Sequence, residues 1–557
     1  MCDGRHEQFL DFSVHFIEPG PVATLRLVTR VLGLPLVRGS GFSELGLDVH
    51  REGRGWFRRP VKNFLRSLRC FATKRFQRYG LNGCWVVVLI TGCGTGFAVD
   101  LGVENKEAVV ASIEKHASGM IRLSDQIWGW AETSLMETRS SRALADWAEE
   151  QGFQVRRGVG GLPTAFVAIF GSGRPVIGIV GEYDALPGLS QKAMAVKEAV
   201  TPGGAGHGCG HNLFGSASLG AAVAIKELLA ANRLKGTVRF FGTPAEERFS
   251  GKLYMVRAGL FDDVDVCVAW HPSDKTRATA VTGQAMVDFI VDFQGRAAHA
   301  AYDPWNGRSA LDGLELLTHG LNLLREHIKP TVRIHYTITR GGDMPNIVPE
   351  TARLWCWVRD SRYEGVEEVM SRIRPMVEGA GLMAGVSAKL TIQEGLYERL
   401  MNTTGIRLMH TNLLRLGPLR FTLEEQAFAR ALQRETQVKE SGLRTEVDGW
   451  ENQEFEGGST DLGDVSYVVP LLHLETTCAP YDAPWHAWPT VACAGMSIGH
   501  KGLIHAAKAM AMTMVDLFEN ETVRRAIRAE FAEKTRGIKY RAMIPEGPPP
   551  LEKAGKP

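Results

Sequence analysis

After Glu52 no acidic residue appears until Asp100, and residues 81–99 carry no charge of either sign. Methionine is absent for longer still, from Met1 to Met120. These gaps set the first hundred residues apart from the rest of the chain. The chain as a whole has almost no excess charge: 64 Lys and Arg stand against 62 Asp and Glu, a formal net charge of +2, which excludes a global field for nucleic acid or an anionic membrane surface. Nine cysteines scattered through 557 residues lack the dense spacing of a disulfide framework, so reduced thiols and a cytoplasmic location are expected. At this length a single hydrophobic core is rarely enough, and more than one domain is expected.

The opening segment is strongly basic. REGRGWFRRPVKNFLRSLRCFATKRFQR runs into LNGCWVVVLITGCGTGFAV, which is about the length of a bilayer span, ~20 residues. Four glycines and the polar Asn82 argue against a membrane helix there, and membrane attachment is not expected. VVVLITGCGTGF resembles the first strand and glycine turn of short-chain dehydrogenases. It departs from that pattern at Ala98, where a third glycine belongs, and no tyrosine in the chain is followed four places later by lysine, so no dinucleotide site is assigned. Residues 1–104 are best accounted for as upstream sequence carried ahead of a non-ATG start near Val99 or Val103.

Residues 105–283 are regular. EAVVASIEKHASGMIRLSDQIWGWAE and SSRALADWAEEQG carry apolar residues at helical spacing. PVIGIVGEYDALPG, GTVRFFGTPAEE and DVDVCVAWHPS are short β-rich runs separated by the helical GSASLGAAVAIKELLAAN and GKLYMVRAGLF. That alternation predicts an α/β fold, a layered catalytic domain with a mostly parallel sheet whose strand ends open into site-bearing loops. Over 284–396 the order becomes strand, helix, strand, strand, helix, strand, that of a smaller ferredoxin-like α+β domain. Its exposed edges can pair with a second copy, so it is expected to act as lid and dimerisation domain. Residues 397–535 return to the catalytic domain, and 536–557, ending PEGPPPLEKAGKP, read as a disordered tail.

Three successive strand ends deliver metal-binding side chains. GHGCGHN brings Cys209 and His211, TPAEE brings Glu246 and Glu247, and AWHPS brings His271. Each alone has an ordinary explanation: a buried thiol beside a hydrogen-bonded histidine, a solvated carboxylate face, a structural histidine. Their joint arrival at one rim of one sheet favours a metal site. Thiolate, imidazole and carboxylate suit zinc, manganese or cobalt, and ligands spread this widely fit two metals sharing a bridge rather than a closed structural site.

In order along the chain, GEYDALPG, HGCGHNLFGSAS, TPAEE, AWHPS, GRAAHAA, GGDMPNIVPE, GGSTDLGDVS and PWHAW resemble the dinuclear-metal aminoacylase and carboxypeptidase-G group of metallopeptidases, most closely its p-aminobenzoyl-glutamate hydrolase branch. The likeness covers roughly residues 105–520. It implies that Cys209, His211, Glu247, His271 and His486 bind two divalent metal ions, zinc, manganese or cobalt, with His473, His500 and His505 as rivals for the place of His486. It implies that Glu246 is the general base, that Asp184 lies near the metals, and that His299 donates to the tetrahedral oxyanion; a capping role in the insert is the alternative for His299. Glu182 stands where many relatives carry a ligand histidine, and is not assigned to a metal. Asn346 falls at the family's substrate pocket, while Arg359 and the backbone of Gly458 and Ser459 are candidates to hold a substrate carboxylate.

The function implied is metal-dependent hydrolysis of the amide bond of an N-acyl amino acid, a small-molecule substrate, by a homodimer or by a hetero-oligomer with a sister subunit. A non-catalytic partner subunit and a dipeptidase are the alternatives. If residues 1–104 are upstream sequence, the native protein yields no peptides from residues 5–75; mass spectrometry that detects them overturns that account.

Overall fold

The computed structural model describes residues 103–451, 453 and 457–555. The basic segment, the apolar run at 81–99 and the glycine turn within it lie outside the described residues.

Six strands come first: β1 (Gln154–Arg157), β2 (Phe166–Ser172), β3 (Val176–Gly181), β4 (Gly236–Gly242), β5 (Val266–Ser273) and β6 (Arg277–Ala278). The insert comes next with β7 (Ala285–Gln294), β8 (Arg333–Arg340), β9 (Thr351–Asp360) and β10 (Ser387–Leu396), and the chain then returns as β11 (Leu471–Thr477). The large sheet runs β1-β2-β4-β3-β5-β11-β6. Its centre, β4-β3-β5-β11, is parallel, while β1, β2 and β6 add antiparallel edges, so the sheet is mixed. Every residue of β3 and of β11 is buried, as parallel strands covered on both faces require. Helices Val103–Trp130, His211–Ala230 and Ser497–Glu519 pack on one another against the sheet. Each Val, Leu, Ile or Phe buried there contributes ~1.5–3 kcal/mol. His211–Ala230 is the one described helix long and apolar enough to cross a membrane, and it is a core helix of this domain.

Register sets the level of the site. Gly181 of β3 pairs with Gly242 of β4, so the chain leaves both strands at one height, with Glu182 and the TPAEE loop just beyond. Gly215 lets helix His211–Ala230 start hard against that rim: a Cβ there would lie 2.6 Å from the Glu182 carbonyl oxygen.

The insert forms a four-stranded antiparallel sheet ordered β10-β7-β9-β8, the order a ferredoxin-like chain path produces. Ala352, Leu354, Cys356 and Val358 alternate along β9 toward a separate core with Leu314, Leu317, Val366 and Met370 from the two insert helices. A small cluster of Leu253, Met286 and Leu396 joins insert and catalytic domain.

The expectation of a disordered tail over 536–557 fails for its described residues. Their backbone is irregular but anchored: Tyr540 Oη donates to Asp464 Oδ1 at 2.9 Å, Met543 bridges to Gly395, and Arg257 donates to the carbonyls of Pro545 and Gly547. Proline and glycine gave the segment a disordered composition, but Tyr540, Met543 and Ile544 supply the apolar contacts that dock it. Truncation after Thr535 is therefore expected to lower the denaturation midpoint, and Tyr540→Phe to cost ~1 kcal/mol through the lost hydrogen bond. An unchanged midpoint in the truncated protein would show the docking to be unimportant.

Candidate metal centre

Cys209 is the hub of the site. Its Sγ lies 3.3 Å from His271 Nε2, and ligand atoms of Cys209, His211 and His271 all fall within 4.8 Å of one another. A second group, Cys209, Glu247 and His486, meets the same limit, with His486 Nε2 3.4 Å from Glu247 Oε2. Two ligand groups thus share one sulfur. His271 Nδ1 donates to the carbonyl of its neighbour Pro272 at 2.7 Å, which leaves Nε2 as the lone-pair nitrogen facing Cys209. Burial, and then the charge of His211, hold His271 neutral by lowering its pKa to about 3. Burial pushes the Cys209 thiol well up, so a metal that binds there must displace its proton. The His486 side chain is 56% exposed and marks the open side of the site.

Asp184 stands behind His211 rather than in the reaction space. Its Oδ1 receives His211 Nδ1 at 3.0 Å, and its Oδ2 accepts from the Ser134 hydroxyl at 2.8 Å and the Glu247 amide at 2.9 Å. Burial would raise this carboxyl, but the hydrogen bond and charge of His211 hold it below its ordinary value. Asp184 therefore orients the imidazole of His211, as a carboxylate behind a metal-binding histidine would. The loop carrying the two glutamates is strained: Ala245, Phe249 and Ser250 have φ of 62°, 78° and 51°, and His486 has 51°. Glu137 holds it, accepting from the Ala245 amide at 2.8 Å and the Thr164 hydroxyl at 2.9 Å.

A third group brings Glu182, His211 and Glu246 within 4.8 Å. Glu182 Oε2 lies 3.1 Å from His211 Nε2, while its Oε1 meets the fully buried ammonium of Lys252 at 2.6 Å. Lys252 also pairs with Asp461 at 2.6 Å. Burial, with Glu182, Glu247 and Asp461 nearby, raises the Glu246 carboxyl well above its ordinary value. Burial likewise raises Glu247, to about 7.

The remaining expected residues fall into two other groups. His299 pairs with Ile347 across a loop on the insert, where Ala300 N donates to Asn346 O at 3.0 Å and so brings Asn346 into the same turn. His299 Nδ1 accepts from the amides of Ala301 and Tyr302, so its Nε2 carries the proton. It caps its own turn, whereas the first long insert helix is capped by Ser309. Arg359, Gly458 and Ser459 lie where the insert joins the catalytic domain. Arg359 Nη1 donates to Ser459 Oγ at 3.3 Å, and Gly458 contributes its carbonyl, accepting from Gln284 N at 2.7 Å. The half-buried Arg359 guanidinium has no acidic partner among the described residues and stacks over Trp357. The rivals of His486 are engaged elsewhere or lie outside the three groups: His473 with Thr279 and Arg399, His500 with Asp125, and His505 buried in helix Ser497–Glu519.

The family model for peptidase family M20/M25/M40 matches residues 178–403. A p-aminobenzoyl-glutamate hydrolase subunit of Escherichia coli (strain K12) is 38% identical over 471 residues, covering 79% of this chain and 98% of that protein. The chain belongs to this family. Among other relatives, mouse Xaa-Arg dipeptidase is 29% identical over 79% of this chain and 94% of its own. A Bacillus subtilis dinuclear metal-binding peptidase from the M20 family shares the fold, with a TM-score of 0.51 and 20% identity over 73% of this chain and 99% of its own. M20 membership makes this chain a metal-dependent hydrolase of amide bonds.

The donors present fit divalent ions. They pair a thiol with imidazoles and carboxylates, and Glu247 Oε1 and His211 Nε2 are buried without a hydrogen-bond partner among the described residues. Sequence reasoning missed Glu137, Lys252 and Asp461 and set Glu182 aside. Asp461 falls inside the GGSTDLGDVS motif and Lys252 five residues past Glu247, positions that look like solvated charge until burial is known. Replacing Asp184 by Asn should weaken metal binding about 10–100-fold by releasing His211. Chelator competition checks this, and an affinity within twofold of wild type would deny Asp184 that role.

Proposed function

We propose that the protein hydrolyses the amide bond of N-acyl amino acids of the p-aminobenzoyl-glutamate type, using two divalent ions drawn from zinc, manganese and cobalt. The observation that carries this reading is the Glu246 carboxyl group, within 4.8 Å of a ring nitrogen of His211 and beside two candidate ligand groups that share Cys209. Cys209, His211, Glu247, His271 and His486 would hold the ions. Bound there, they would supply Lewis acidity for the scissile carbonyl and make an attacking water more acidic.

Glu246 takes the proton of that water as it adds to the carbonyl carbon, and delivers it to the amine nitrogen as the carbon–nitrogen bond breaks. A carboxyl whose pKa is raised by burial and by neighbouring carboxylates suits both halves of this transfer. His299 Nε2–H is the donor for the oxyanion, and Arg359, lacking an acidic partner among the described residues, receives the carboxylate of the amino-acid half. Five described cysteines are free, in keeping with a reducing cytoplasm. Exposed Ile338 on edge strand β8 and Trp355 on β9 favour assembly through the insert, as a homodimer or with a sister subunit.

Glu246→Ala should lower kcat about 10²–10⁴-fold while leaving metal content unchanged. The assay uses p-aminobenzoyl-glutamate, other N-acyl amino acids and short dipeptides, with metal restored after chelation. A near-normal rate for this variant removes Glu246 as the base, and cleavage confined to dipeptides redirects the substrate reading.

A further inference from the structure

Lys252 is a fully buried lysine in a site otherwise crowded with carboxylates. Its ammonium is clamped between Glu182 Oε1 and Asp461 Oδ1, each at 2.6 Å, and its own amide donates to Asp461 Oδ2 at 3.0 Å. None of these three side chains is more than 1% exposed. Gly251 makes the arrangement possible, because a Cβ there would lie 2.0 Å from the Pro244 carbonyl oxygen, so only glycine lets the helix starting at that residue pack this close beneath the TPAEE loop. Beyond Lys252, the other oxygen of Glu182 faces the ligand nitrogen of His211 at 3.1 Å. Beyond Asp461, two residues back along the loop, Ser459 accepts from Arg359 of the insert.

From this chain of contacts we infer that Lys252 is a positioning residue: with Asp461 it fixes Glu182 against His211, and so ties the loop at the insert junction to the metal centre. Among the described residues nothing else anchors Glu182 Oε1. The carboxylate has its backbone just past the end of β3 and its head beside another carboxyl group, that of Glu246, which offers it no fixed cation. Lys252 holds Glu182 in one place, and Asp461 holds Lys252 in one place. The inference rests on the metal-centre reading above.

The test is metal affinity, measured by chelator competition with zinc and with manganese on the full chain. The double variant Lys252→Gln/Asp461→Asn replaces a cation and an anion by neutral groups of similar shape, so the net charge of the site is unchanged and only the clamp is lost. We expect one metal to bind about 10–100-fold more weakly and the other to stay within twofold of wild type. A folded double variant that binds both metals like wild type overturns the inference, even if its melting temperature falls. Asp461→Asn alone, which keeps the Lys252–Glu182 contact, should show a smaller fall in the same direction. If neither variant folds, hydrogen exchange of the wild-type protein decides. Metal loading should slow exchange across residues 457–463, which contain no ligand, and unchanged exchange there overturns the coupling. A wild-type chain that binds no metal at all would instead remove the metal-centre reading itself.

Discussion

Everything at the rim of the large sheet depends on the confinement of negative charge. Glu182, Asp184, Glu246, Glu247 and Asp461 converge in a space where water is scarce, and the one lysine buried among them is Lys252. A lone buried carboxylate costs several kcal/mol, and opposite charge repays that cost only with close, hydrogen-bonded geometry. Lys252 compensates two of the five, and the imidazole of His211 compensates in part while it is protonated. Protons held by the raised carboxyls of Glu246 and Glu247 supply more of it, and divalent cations can take the place of those protons. The site is thus built for metal by its electrostatics as much as by its ligand types, and metal binding adds to stability because the unfolded chain keeps no such cluster.

That charge has to be held in unfavourable backbone. Ala245, next to the proposed base, sits at φ 62°, and Phe249 and Ser250 share the left-handed region within the same loop. Such conformations cost of order 1–3 kcal/mol each and persist only where the surroundings fix them. Glu137 supplies part of the fixing through the Ala245 amide, Asp184 accepts from the Glu247 amide, and Glu394 accepts from the Ser250 hydroxyl. Burial and the charge of Asp184 raise the Glu137 carboxyl to about 8, so in its neutral form it adds no further anion to the cluster.

The legible part of this structure is the part that obeys period and punctuation. Apolar runs bounded by loops revealed β3, β4 and β5; Glu246 and Glu247 do follow β4 closely, but His271 lies within the last residues of β5, and Cys209 and His211 come long after β3, at the start of helix His211–Ala230 rather than at a strand end. The insert was legible for the same reason, its six elements in sequence implying the sheet order. What escaped was decided by burial. Lys252, Asp461 and Glu137 are charged residues in segments of ordinary appearance, and only tertiary packing turns a lysine inward. Asp184 was placed near the metals, but that both of its oxygens are spent on His211, Ser134 and Glu247 depends on side-chain direction, which spacing does not encode. The tail misled in the opposite sense, because composition outweighed three apolar anchors, Tyr540, Met543 and Ile544.

The division of labour between the domains rests on these same contacts. The residues proposed to hold the ions and Glu246 lie at the large sheet's rim, whereas His299 Nε2–H, the proposed oxyanion donor, is presented from a turn of the insert. A donor carried on a separate core acts on the right atom only if the joint between the cores is held. At that joint Gly283 meets Gly458 so closely that a Cβ would lie 2.4 Å from the Gly458 carbonyl oxygen, Gln284 donates to that same oxygen, and Arg359 reaches Ser459. The loop so gripped continues directly into Asp461, which grips Lys252. One short segment therefore meets the insert at one end and the buried charge at the other. A shift in the insert that moved His299 would pull on the same backbone that steadies Glu182, and that is a physical reason for a lysine to be buried where a neutral side chain would pack at lower electrostatic cost.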